Sequence, residues 1–332
     1  MVARLRACAA WLLCAALAAA SGCRAPAQPA GAAAPVAHDA GSSQTLADAE
    51  HDEAVEPTDP GAAVTETHDA ATAGAQTDGQ PASTADAAAL WYQPDPASTW
   101  AWQLQGQVDT SVVATVYDID LFDSPTAVVA SLHAKGRKVI CYFSAGTAAN
   151  WRPDFARFAK ATLGKPLHDW AGERWLDIRA ASVRSVLLQR MQLAKTKGCD
   201  AVEPDNVDGY AHQTGFALTP DDQLAFNLWL AETAHGLNLG IGLKNDGDQA
   251  ALLVGAFDFA LNEECHQYDE CSQWAPFVAA NKAVFNAEYA PSHAKAVTLA
   301  AKLCPLAAAE HLLTLVLPLA LDGSFRVACN GP

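Results

Sequence analysis

The sequence predicts an α/β protein, a (β/α)8 TIM barrel preceded by a signal peptide and a disordered acidic linker. Three observations carry this expectation. Eight short, β-rich apolar runs alternate with seven segments of helical periodicity. They occupy the last 242 residues, close to the roughly 250 typical of that barrel. No run is followed by the Gly-x-Gly-x-x-Gly turn of an open doubly wound sheet, and Gly240-Ile241-Gly242 lies inside a strand rather than opening a helix.

From the N-terminus, Arg4 and Arg6 precede an apolar run from Ala7 to Ala20 that is too short to span a bilayer, so residues 1–22 form a lipoprotein signal peptide. It ends Ala20-Ser21-Gly22-Cys23, which resembles a bacterial lipobox and makes Cys23 the lipidated first residue. Residues 23–89 form a tether of Ala, Asp, Glu and Thr, with one Arg against eleven acids and almost no aromatic or β-branched apolar residues to build a core. Such a segment cannot offset its ordering entropy by burial. The composition changes at Leu90-Trp91-Tyr92, and residues 90–332 form the folded domain, which holds eight of the nine tryptophans.

Within it the strand candidates are Val112 to Phe122, Lys138 to Phe143, Arg174 to Ile178, Ala201 to Pro204, Leu239 to Lys244, Phe257 to Asn262, Ala283 to Glu288 and Leu312 to Leu317. The helix candidates between them are Thr126 to Lys135, Pro153 to Leu163, Ala181 to Lys197, Pro220 to Leu237, Asp248 to Gly255, Cys271 to Ala280 and His293 to Leu303. Cys8 and Cys14 leave with the signal peptide and Cys23 carries lipid, so six thiols remain in an oxidising compartment. Cys265 and Cys271 pair by proximity, with Cys141/Cys199 and Cys304/Cys329 as weaker suggestions, because spacing does not fix connectivity.

A barrel presents its chemistry at the C-terminal ends of its strands. Those ends carry Asp118 and Asp120, Tyr142 and Ser144, Asp177 and Arg179, then Glu203, Asp205 and Asn206. Further along come Lys244, Asn262, Glu263, Glu264 and Glu288. Side chains alternate along a strand, so Asp118 shares a face with Asp120, and Glu203 with Asp205. Gly240 and Gly242 have the parity of Lys244, which leaves room below that lysine. A mouth rich in carboxylates suits acid/base chemistry on a sugar or oxygen ligation of a metal. No His-x-His or His-Glu-x-x-His pair is present, and no Gly-x-Ser-x-Gly elbow, which disfavours a transition-metal hydrolase and a serine nucleophile. A net charge of −16, from 21 basic against 37 acidic residues, argues against a nucleic-acid partner.

Several of these segments resemble glycoside hydrolase family 114, the endo-α-1,4-polygalactosaminidases. The similar stretches are Trp100-Ala101-Trp102, Val116-Tyr117-Asp118-Ile119-Asp120, Cys141-Tyr142-Phe143-Ser144-Ala145-Gly146, Trp175-Leu176-Asp177-Ile178-Arg179, Glu203-Pro204-Asp205-Asn206, Leu243-Lys244-Asn245 and Asn262-Glu263-Glu264-Cys265. They span roughly Trp91 to Tyr289. The resemblance implies a TIM barrel that cuts within chains of α-1,4-linked galactosamine, with Asp205 as nucleophile and Glu263 as acid/base. Parity alone leaves Glu263 and Glu264 open. After Tyr289 the chain departs from the family pattern, which puts the last two strands in doubt.

Two carboxylates suffice for glycoside cleavage, so no cofactor and no metal is required. The acid/base must hold a proton when substrate arrives, and Glu203 and Asp118 are the neighbouring carboxylates that would favour this. The remaining strand-end groups, Asp118, Asp120, Tyr142, Ser144, Asp177, Arg179, Glu203, Asn206, Lys244, Asn262 and Glu288, would bind substrate, as would Trp102. Trp100 and Tyr210 offer further flat surfaces for sugar rings. The expected protein is a monomeric extracytoplasmic lipoprotein, membrane-bound through Cys23, with an aminosugar polysaccharide as partner. The alternatives are a surface carbohydrate-binding lipoprotein without turnover and a hydrolase of another aminosugar polymer.

Overall fold

The computed structural model describes residues 91–168 and 170–331. The signal peptide over 1–22, Cys23 and the tether up to 89 lie outside the described residues. Eight strands run parallel in one curled sheet: β1 (Trp100–Gln103), β2 (Val116–Asp120), β3 (Lys138–Ser144), β7 (Ala201–Asp205), β8 (Gly240–Lys244), β9 (Phe259–Glu263), β10 (Val284–Tyr289) and β11 (Leu313–Leu317). Each pairs with its neighbour in that order. Helices α1 (Thr126–Ala134), α2 (Ala181–Lys197), α3 (Pro220–Gly236) and α7 (His293–Ala309) cross between them, with the short α4 (Ala250–Leu253), α5 (Cys265–Tyr268) and α6 (Ala275–Ala279) on the later strands. This is the (β/α)8 barrel architecture.

The count of eight holds, although its membership changes. Trp100–Gln103 is a barrel strand that the search for β-branched runs passes over. The run around Arg174 is a strand, β6 (Glu173–Leu176), but it belongs to a second sheet. There it lies antiparallel between β4 (Thr147–Ala149) and β5 (Leu163–Pro166), in the excursion from β3 to α2. Periodicity identifies a strand without naming its partner, and the two errors cancel in the total. The helix expected over Pro153 to Leu163 is absent. Two 3-10 turns stand there, and Asp154 is held by the buried guanidinium of Arg190 at 2.8 and 2.9 Å.

The first and last strands meet through side chains and loops. The Trp100 indole N–H donates to the Leu313 carbonyl at 2.8 Å, the Leu104 N–H donates to Leu321, and Arg326 donates to the Trp100 carbonyl. A short β12 (Val327–Ala328) pairs antiparallel with β11. The chain after Tyr289 therefore supplies α7 and β11, despite its departure from the family pattern.

Strand parity divides the core in two. Trp100, Trp102, Val116, Ile140, Ala201, Phe259, Leu261, Phe285, Ala287, Leu313 and Leu315 fill the barrel interior. Residues of the other parity, such as Tyr117, Val139, Cys141, Val202, Leu243, Ala260 and Val284, pack outward under the helices. The space at Gly242 is filled: a Cβ there would stand 2.2 Å from the Phe259 ring, so this glycine admits a core aromatic rather than leaving room below Lys244.

Local signals set the helix ends. Thr219 and Asp222 form a reciprocal capping box at the start of α3, with Pro220 at its first position. Gly198 ends α2 in the left-handed region, φ 89°. The six cysteines of the described region form Cys141–Cys199, Cys265–Cys271 and Cys304–Cys329. Among the described residues no helix is long and apolar enough to cross a membrane.

Candidate active site

The inner parity of β7, β8 and β9 brings Glu203, Asp205, Lys244 and Glu263 together at the C-terminal end of the barrel. The Lys244 ammonium is their hub. It lies 3.0 Å from Glu203 Oε1, 3.3 Å from Asp205 Oδ1 and 3.2 Å from Glu263 Oε2. Its Nζ stands 4.8 Å from the centre of the Trp102 ring, with the lysine side chain 2% exposed. Burial alone would lower the proton affinity of this amine, but the charges of Asp205, Glu203 and Glu263 outweigh it and hold Lys244 well above its usual range.

Asp205 and Glu263 are the members of the cluster that reach solvent, with side chains 17% and 28% exposed. Asp205 Oδ2 accepts from the Tyr142 hydroxyl at 2.9 Å and Oδ1 from the Asn206 N–H at 2.7 Å. Burial and then the Asp205 charge push Tyr142 well above its usual range, so it serves as a donor. Glu263 Oε1 accepts from the Tyr289 hydroxyl, and Oε2 from Asn245 Nδ2 at 3.3 Å. Every neighbour in contact with these two carboxylates offers a hydrogen. Behind Asp205, Asn206 Nδ2 donates to Ser144 Oγ at 3.0 Å, and Ser144, Thr147 and Glu173 continue the network. The turn from β3 to β4 crosses Asn206 so closely that a Cβ at Gly146 would lie 1.6 Å from its carbonyl oxygen.

The other expected substrate ligands fare differently. Asp118 and Glu203 are 0% exposed, so a sugar cannot touch them. Asp120 is taken by Arg152, which also pairs with Asp123 at 2.9 Å, and by the N–H groups of Phe122 and Asp123. Asn262 and Glu288 have outward parity. They belong to a buried network in which Asn286 donates to Asn262 Oδ1 at 2.8 Å, while Glu288 accepts from Asn286 and from the His266 N–H. Asp177 and Arg179 pair with each other beyond β6, at 2.8 Å, and join no residue of the cluster. The Trp100 and Trp102 rings are buried in the barrel interior, and Tyr210 donates to Asp246 at 3.1 Å.

Tyr289 and Asn245 are site residues that the sequence search missed. Both stand at strand ends, and Tyr289 shares inner parity with Phe285 and Ala287. The exposed indoles of Trp151 and Trp170 flank β4 and β6 on the added sheet.

The arrangement presents two partly exposed carboxylates above a buried cation, with hydroxyl and amide donors fixing each. It can attack an electrophilic carbon with one carboxylate and move a proton with the other.

The chain matches Glycoside-hydrolase family GH114 over residues 80–332. Among solved structures it is similar to Ega3 of Aspergillus fumigatus, determined in complex with galactosamine, at 39% identity and TM-score 0.67, covering 72% of this chain and 97% of that one. The glycoside hydrolase domain of PelA from Pseudomonas aeruginosa shares the fold at 17% identity and TM-score 0.56, covering 69% of this chain and 98% of that one. A comparison with curated proteins gives no match. The chain therefore belongs to glycoside-hydrolase family GH114 and is a glycoside hydrolase.

Proposed function

We propose that this hydrolase cuts within α-1,4-linked galactosamine chains by a retaining two-carboxylate mechanism. Asp205 attacks the anomeric carbon while Glu263 protonates the departing glycosidic oxygen. Glu263 then takes a proton from water, whose oxygen adds to that carbon and releases Asp205. The observation that carries this reading is the shared contact with Lys244. Two oxygens within 3.3 Å and 3.2 Å of one nitrogen lie no more than about 6.5 Å apart, which accommodates the about 5 to 5.5 Å separation of a retaining pair. The similarity to Ega3, determined with galactosamine, supports the aminosugar class.

The test is release of reducing ends from a panel of aminosugar polymers, with the anomer of the first product followed by NMR. The expected result is cleavage of polygalactosamine giving the α anomer first; the β anomer would overturn retention. The folded domain carries 26 acidic against 18 basic residues. Deacetylated, cationic polymer should therefore be cut faster than acetylated polymer, and added salt should narrow the difference by screening. Equal rates at all salt concentrations would contradict this.

We infer that Cys23 anchors the enzyme and that residues 23–89 lift it from the membrane. Cys23→Ser should move the protein from the membrane fraction to the soluble one with activity on soluble polymer intact. A Cys23→Ser protein that stays with the membrane would remove the anchor.

A further inference from the structure

Four carboxyls surround one ammonium. Beneath Lys244, the carboxyls of Asp118 and Glu203 are both fully buried and close enough for the Glu203 charge to act on Asp118. Among the described residues neither Asp118 oxygen nor Glu203 Oε2 has a hydrogen-bond donor. Two ionised carboxylates side by side in a fully buried site are costly, which favours a proton on one of them. Lys244 touches Glu203, not Asp118, which favours ionised Glu203 and leaves the proton on Asp118. Burial, then the Glu203 charge, pushes Asp118 well above the usual carboxylate range, in the same sense.

Among the described residues no hydrogen bond or ion pair joins Glu203 to Asp205 or Glu263 directly, and Lys244 bridges all three. We propose that Glu203 is a positioning residue that acts on the catalytic pair through Lys244, and that a proton resident on Asp118 holds Glu203 in place. The Glu203 charge offsets the ammonium, so that Lys244 orients Asp205 and Glu263 without binding the acid/base too firmly in its ionised form. The groups facing Lys244 are Glu203 and Asp205 from β7, Glu263 from β9, and the rings of Trp102 from β1 and Tyr142 from β3. Asp118 from β2 and Tyr289 from β10 complete the shell one contact away.

This inference rests on the catalytic roles proposed above, and its test separates the two. Glu203→Gln keeps shape and an acceptor for Lys244 but removes the counter-charge. The alkaline limb of the kcat/KM profile should then move to lower pH by about one unit, because the unbalanced ammonium favours loss of the acid/base proton. Asp118→Asn, which replaces a neutral donor by another neutral donor, should leave that limb where it stands in the wild type. An unmoved limb in Glu203→Gln would reduce Glu203 to a packing role and overturn the proposal.

Thermal unfolding gives a readout independent of activity. A carboxyl whose proton is held more tightly in the folded state contributes stability that is fully present below the unfolded value, about 3.9, and is lost as pH rises above it. Asparagine has no such dependence. The Tm advantage of Asp118→Asn over the wild type should therefore widen from pH 4 to 8, and a narrowing would show Asp118 ionised and overturn the assignment. A wild type that cuts no aminosugar polymer would sink the functional reading, with the unfolding series still deciding the position of the proton.

Discussion

Asp205→Asn is expected to lower kcat by at least about 10³-fold while the protein stays folded, the scale seen when a covalent nucleophile is removed. The amide keeps the volume of the carboxyl and most of its contacts. Its oxygen still accepts from the Asn206 N–H, now 2.7 Å from Oδ1, and its NH2 can donate to the Tyr142 oxygen in place of accepting from it. Lys244 retains Glu203 and Glu263, so no buried cation is left alone. What disappears is the negative charge that bonds to the anomeric carbon. KM should change by a few-fold at most, since the loss falls on the transition state rather than on binding. The measurements are steady-state kinetics on a soluble galactosamine oligomer and a thermal scan. Wild-type turnover in Asp205→Asn would move the nucleophile to Glu203 or to the partly exposed Glu264.

How much of this site is legible in the sequence depends on whether one strand suffices to place a residue. Alternation along a single strand puts Glu203 with Asp205 and sets Lys244 in register with Gly240 and Gly242, and the structure keeps those faces. The same rule, applied to β9 and β10, separates Asn262 from Glu263 and Glu288 from Tyr289; gathering residues by nearness to the strand end ignores it, and the two outward residues enter the list wrongly. Asp177 and Arg179 stand apart from the Lys244 cluster for another reason. Their strand forms from local sequence, but its partners, Thr147–Ala149 and Leu163–Pro166, are set by a sheet that no periodicity announces. The role of Lys244 as hub lies beyond any local rule, because its partners stand 41, 39 and 19 positions away on other strands. The barrel count survives the exchange of two strands, since the architecture needs eight apolar runs and tolerates error in which ones they are.

Glu263 makes the second large effect. All of its neighbours donate to it: the Tyr289 hydroxyl to one oxygen, Lys244 and Asn245 to the other. This shell suits a carboxylate that accepts a proton from water in the second half of the reaction. For the first half the group must carry the proton, and the Tyr289 hydroxyl is the neighbour able to rotate and accept instead of donate. Glu263→Ala should therefore lower turnover of natural polymer by about 10² to 10⁴-fold, the usual worth of acid/base assistance. An oligomer with a good leaving group, such as a dinitrophenolate, should need no protonation and should form the Asp205 ester at a rate near that of the wild type. Hydrolysis of that ester would then limit turnover, because no base activates water. Azide needs no base. It should attack the ester, accelerate turnover, and yield the α-glycosyl azide, the configuration of the starting bond. In Asp205→Ala, by contrast, azide would have to attack the substrate directly and would give the β product. An α-azide from both variants would exclude Asp205 as the nucleophile, and an absence of rescue in Glu263→Ala with full activity on natural polymer would pass the acid/base role to Glu264.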